Sequence, residues 1–114
     1  MTGGDRAEEA ALAWHPVPVP VPAEGRTCGF ELAGYRLVLC NALGSPYVLH
    51  DECPHMRVPL SGGRLQGTVL ECPRHGGKVD VRDGAAVERP IRRSATCFAV
   101  REGAAGIEVG LPAA

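Results

Sequence analysis

An all-β fold built from small antiparallel sheets is what this 114-residue sequence predicts. Three observations lead there. Glycine at 15 positions and proline at 10 make the chain turn-rich, which suits short strands better than long helices. No segment keeps an apolar stripe at helical spacing, whereas short runs alternate with period two. Hydrophobic residues reach 45% with aromatics at only 4%, so aliphatic side chains must fill a modest core. The length is that of one domain, with no space for a second catalytic unit of ordinary size.

Residues 1–13 are small, polar and Ala-rich, and read as a flexible N-terminal segment. A single domain is expected over 14–112, with Trp14 covering one end of it. In Pro16-Val17-Pro18-Val19-Pro20-Val21-Pro22 every second residue lacks an amide donor. That run predicts polyproline II or an edge strand that packs its valines. Thr27 to Leu32 and Tyr35 to Cys40 flank Ala33-Gly34 as a hairpin, and Asn41 to Pro46 turns the chain into a strand at Tyr47-Val48-Leu49. Thr96 to Val100 and Ile107 to Leu111 make a further hairpin across Glu102 to Gly106, with Ile107, Val109 and Leu111 on one face. Between these β regions, residues 50–90 are dense in glycine and proline; loops framed by strands are where sites sit.

Lys plus Arg is 12 and Asp plus Glu is 13, a net charge of -1. This balance argues against nucleic-acid binding and against a polybasic membrane surface. No stretch approaches the roughly 20 apolar residues of a membrane span. Asp5, Glu8 and Glu9 stand where a secretory signal would be basic and then apolar. The cytoplasm is the expected compartment, and five cysteines, an odd number, fit a disulfide framework poorly. Cys28, Cys40 and Cys97, inside predicted strands, read as small buried hydrophobes.

Cys53-Pro54-His55 and Cys72-Pro73-Arg74-His75 stand apart. The pattern is C-x-H, sixteen residues, C-x-x-H, and it holds four of the nine Cys and His residues. Thiolate and imidazole are ligands for zinc, copper and iron–sulfur centres. A structural zinc site is one reading, although zinc fingers usually pair C-x-x-C with H-x-x-x-H. One Cys and one His from each loop suits a two-iron cluster, cysteines on one iron and histidines on the other. Gly76 and Gly77 can bring backbone amides close to cluster sulfur. Pro54, Pro59 and Pro73 restrict the loops before anything binds. His50 reads as a loop-packing residue and Arg92-Arg93 as a solvated pair.

These residues resemble the Rieske [2Fe–2S] family. Cys53-Pro54-His55-Met56, Pro59-Leu60-Ser61-Gly62-Gly63 and Glu71-Cys72-Pro73-Arg74-His75-Gly76-Gly77-Lys78 follow both family loops in order and spacing, and a looser likeness runs from about Trp14 to Leu111. The resemblance implies a Rieske-type antiparallel β-sandwich or barrel with an inserted two-loop cluster-binding subdomain at about residues 50–80. It implies one [2Fe–2S] cluster, with Cys53 and Cys72 on the inner iron and His55 and His75 on the outer, solvent-facing iron. High-potential members join the loops by a disulfide; Val58 and Arg74 occupy those positions here. They also place a serine and a tyrosine where Gly77 and Val79 stand. Fewer donors to sulfur lower the potential, so the low end of the family range, roughly −150 to +300 mV, is expected. The potential is also expected to be flat at acid pH and to fall at alkaline pH, as a histidine ligand of the oxidised cluster loses a proton.

Low potential and small size resemble the ferredoxin component of a multicomponent oxygenase. Such a protein takes one electron from a flavin-containing, NAD(P)H-dependent reductase and passes it to a terminal oxygenase, without catalysis of its own; it is read as a monomer. The small subunit of a nitrite reductase-like complex is the alternative that keeps the cluster. The electron portal is expected at His55 and His75, with Met56, Val58 and Pro59 as an apolar patch and Arg57, Arg74 and Lys78 nearby. Residues 50–93 hold eight Lys and Arg against six Asp and Glu, a mildly basic face that suits acidic patches on partners.

Overall fold

A computed structural model describes residues 12–74, 76–89 and 91–113. Among them the chain forms eleven strands in three antiparallel sheets. No helix among the described residues is long and apolar enough to cross a membrane.

The middle sheet explains the layering. It contains β2 (Thr27–Leu32), β3 (Tyr35–Ala42), β4 (Ser45–His50) and β9 (Cys97–Phe98), in the order β2-β3-β4-β9. The run Leu37-Val38-Leu39-Cys40 of β3 is wholly buried. Successive side chains of a strand point to opposite faces, so an unbroken apolar run means that both faces are covered. Leu37, Leu39 and Val48 join Val109 and Leu111 in one core; Val38, Cys40 and Leu49 join Leu60, Leu65, Leu70, Val79 and Val81 in another. The two hairpins of this sheet turn through Ala33 (φ 53°) with Gly34 (φ 86°) and Leu43 (φ 56°) with Gly44 (φ 86°). Two successive positive φ angles make a tight turn whose twist matches its strands.

The first flanking sheet is β1 (Leu12–Pro16), β11 (Gly106–Pro112) and β10 (Val100–Gly103), in the order β1-β11-β10. Leu12 and Ala13 therefore belong to a strand, pairing with Pro112 and Leu111, and not to a flexible segment; residues 1–11 lie outside the described residues. The single strand expected over Thr96 to Val100 divides in two. Cys97–Phe98 joins β4 while Val100–Gly103 joins β11, as the chain passes between layers at Ala99. Val17 and Val19 pack on the core as expected of an edge segment, and the Val17 amide donates to the Ile107 carbonyl at 3.1 Å. Trp14 lies on this sheet opposite Gly110, with the Arg101 guanidinium 4.1 Å above its ring centroid.

The second flanking sheet is β5 (Arg64–Gln66), β6 (Val69–Glu71), β7 (Lys78–Asp80) and β8 (Ala86–Glu88), paired in chain order. Its three-residue strands carry the two motif-bearing loops, one leading into β5 and the other between β6 and β7.

Candidate metal centre

Each loop is closed by its own cysteine. The Cys53 amide donates to the Val58 carbonyl at 2.7 Å, and the Cys72 amide donates to the Gly77 carbonyl at 2.7 Å. Both closures span five residues, so each loop folds back on its own cysteine. In the second loop Gly76, at φ 76°, donates to the Cys72 carbonyl at 3.0 Å. A Cβ on Gly77 would lie 2.6 Å from Ile91 Cγ1, which shows how tightly Ile91 backs this loop.

The first loop is anchored below by Asp51. This carboxylate is buried and accepts the Ser61 amide and the Ser61 hydroxyl, both at 2.7 Å, while its own amide donates to the Arg36 carbonyl at 2.9 Å. A Cβ on Gly29 would come 3.0 Å from both Asp51 Oδ2 and Ser61 Oγ, so a residue without a side chain leaves room for the clamp. The sequence reading gave Asp51 and Ser61 no role; their hydrogen bonds bridge ten residues, and no short motif announces them.

Cys53 and Cys72, at 2% and 1% exposure, are buried in the core that includes Leu60, Val79 and Ile91. Burial raises the pKa of the Cys53 thiol; backbone amides of Met56 and His55, which hydrogen-bond its sulfur, pull the other way, and the adjoining Cys72 side chain raises it further. The sulfurs of the two loops are thus neighbours. His55, in contrast, is exposed and lines a cleft of about 840 Å³ with Pro54, Arg89, Arg92 and Arg93. His75 lies outside the described residues.

The surroundings differ from expectation in two places. Val58 turns inward against the core, leaving half-exposed Met56 and exposed Pro59 at the surface. Arg57 lies 3.5 Å from Glu52, and Lys78 lies 3.1 Å from Glu88. Arg92 and Arg93 are both exposed, as expected of a solvated pair, and both also line the cleft beside His55. His50 packs at the loop base as expected: its amide donates to the Thr96 carbonyl at 2.9 Å, and its Nε2 lies 3.6 Å from Glu52 Oε1. Cys40 is fully buried, whereas Cys28 and Cys97 are half-buried, and the Cys97 thiol donates to the Val81 carbonyl at 3.5 Å.

Three antiparallel sheets and two cysteine-closed loops of this kind define a domain class, and residues 15–99 match the profile of the Rieske [2Fe-2S] domain. The chain belongs to the Rieske [2Fe–2S] family, whose domain implies a [2Fe–2S] cluster. Within the family its relatives include ferredoxin components. The chain is 31% identical over 91 residues to the ferredoxin component of the naphthalene 1,2-dioxygenase system of Pseudomonas aeruginosa, covering 80% of this chain and 83% of the relative. It is 30% identical over 106 residues to the anthranilate 1,2-dioxygenase ferredoxin subunit of Burkholderia cepacia, covering 90% and 98%. It also superposes, with a TM-score of 0.71 and 28% identity, on a chain of the complex of reduced oxygenase and oxidised ferredoxin in carbazole 1,9a-dioxygenase, covering 76% of this chain and 82% of that one.

Proposed function

We propose that this chain is a one-electron carrier whose single [2Fe–2S] cluster is held by Cys53 and Cys72 on the inner iron and by His55 and His75 on the outer iron. The observation that carries the reading is the segregation of donors: the two cysteine sulfurs adjoin each other inside the core, while His55 is exposed beside a cleft. Buried soft donors and an imidazole at the surface fit the Rieske donor set. When bound, the cluster supplies a one-electron redox step.

The protein's own part is positional. The amides of His55 and Met56 hydrogen-bond the Cys53 sulfur and favour its thiolate. The aliphatic core around Leu60, Val79 and Ile91 keeps water from the sulfurs, and His55 leads outward to the surface. Positions 77 and 79 hold glycine and valine, which lack side-chain donors. That sets the potential at the low end of roughly −150 to +300 mV. The chain does no catalysis alone. It takes electrons from a flavin-containing, NAD(P)H-dependent reductase and gives them to a terminal oxygenase, as a soluble cytoplasmic monomer; the dioxygenase systems of its relatives support the oxygenase side of this route.

Anaerobically prepared protein, once reduced, should give a Rieske-type EPR spectrum. Cys72→Ser and His75→Cys should abolish or replace that spectrum, and Cys97→Ser should retain it. Colourless protein holding stoichiometric zinc after growth in iron would overturn the reading.

A further inference from the structure

Arg89, Arg92 and Arg93 face one cleft together with Pro54 and His55. All three are exposed. Among the described residues the ion pairs are His50–Glu52, Arg57–Glu52, Lys78–Glu88, Arg82–Asp80 and Arg101–Glu108. Carboxylates thus accompany Arg57 and Lys78, whereas among the described residues neither the cleft arginines nor Arg74 has one. Like charges gathered without counter-charges repel, which does nothing for folding. A ligand that brings negative charge would relieve them. A small-anion pocket would bury its guanidinium groups; these line an open cleft, as on the charged rim of a transient interface.

We infer that the Arg89–Arg92–Arg93 cleft is the docking surface for a carboxylate-bearing face of the oxygenase that receives the electron. The inference rests on the carrier reading above. Arginine suits this role because its planar fork can pair both oxygens of a carboxylate. Docking there sets the partner against His55, so the charge that steers the encounter also sets the approach to the electron portal. The three cleft arginines lie on the segment 89–93, more than thirty residues beyond His55 in the chain.

The test uses reduced holoprotein and two redox proteins of opposite charge, an acidic plastocyanin and basic cytochrome c, followed by stopped flow at several ionic strengths. Plastocyanin should be reduced fast at low salt and progressively more slowly as salt rises, with cytochrome c lacking that dependence. Replacing all three arginines (Arg89→Gln, Arg92→Gln, Arg93→Gln) should slow plastocyanin reduction by about tenfold or more at low salt, with the EPR spectrum kept. Arg26→Gln, at a residue that lines no part of the cleft, should change neither. Equal rates and salt responses for both acceptors, or a triple variant as fast as the parent, would overturn the docking surface. Absence of any Rieske signal would instead sink the carrier reading. The cleft is then judged by NMR line-broadening with hexacyanochromate(III): amides of Arg89, Arg92 and Arg93 should broaden before that of Arg26, and uniform broadening refutes the site.

Discussion

Gly77 shows how closely single residues are fitted around the centre. A side chain there meets Ile91 Cγ1 at 2.6 Å and the Ile91 amide nitrogen at 3.1 Å. Gly77→Ser, which would restore the serine expected at this position in high-potential members, must push Ile91 aside at a cost of about 1–3 kcal/mol. The expected result is a lower melting temperature for Gly77→Ser and a smaller additional loss in Gly77→Ser with Ile91→Ala, which removes Cγ1, than the single variants sum to. In the variant that folds, redox titration should find a raised potential, because a new donor stabilises the reduced cluster. Strict additivity of the two substitutions would contradict the contact. Cys40 is the opposite kind of residue: burial pushes its thiol up to about 12, so it remains protonated and serves as packing, as its apolar neighbours in sequence suggest.

The end of β7 carries an acid-sensitive clasp. Asp80, in β7, accepts the Arg82 amide at 2.9 Å, Nε at 3.0 Å and Nη2 at 2.7 Å, and the Thr68 hydroxyl at 3.3 Å. The Arg82 side chain, by these hydrogen bonds first, holds the Asp80 carboxyl below its ordinary value. A carboxyl with a depressed folded pKa contributes its full stabilisation above the unfolded value, near 3.9, and loses it as pH falls through the folded one. Denaturant melts at pH 7 and pH 3 should therefore show a larger acid loss in the parent than in Asp80→Asn; equal losses would rule the clasp out. The strands on either side of this comparison differ in how well the sequence announces them. β2, β3 and β4 are legible because six to eight residues give the pattern room to repeat between glycine turns. Strands β5 to β8 span only three residues each, too few for a period, and their pairing is decided by the loops they carry.

Taken as a whole, the molecule has two cores that share the middle sheet, and only one of them contains Cys53 and Cys72. Metal removal should act unevenly. In protein stripped of iron by chelation, amide exchange at Leu65, Leu70 and Val79 should accelerate well before exchange at Leu37, Leu39 and Val48; simultaneous loss of protection would show that the cores are one cooperative unit. The spacing of Cys53, His55, Cys72 and His75 was readable because ligand chemistry repeats a short local motif. The arginine cleft was not, since its members are gathered by a chain that returns past His55 only after sheet β5–β8 is built, and two of the basic residues beside the motifs, Arg57 and Lys78, turn out to be paired.

Leu12 and Pro112 face each other across the last rung between β1 and β11, on the far side of the shared sheet from the cysteine loops. A thiol linker or surface anchor attached at either position would hold the protein by its back, with the histidine end directed away from the support. Immobilised on an electrode in that way, it should exchange electrons with diffusing acceptors more readily than through the wire itself, a polarity set by where two outer strands happen to meet.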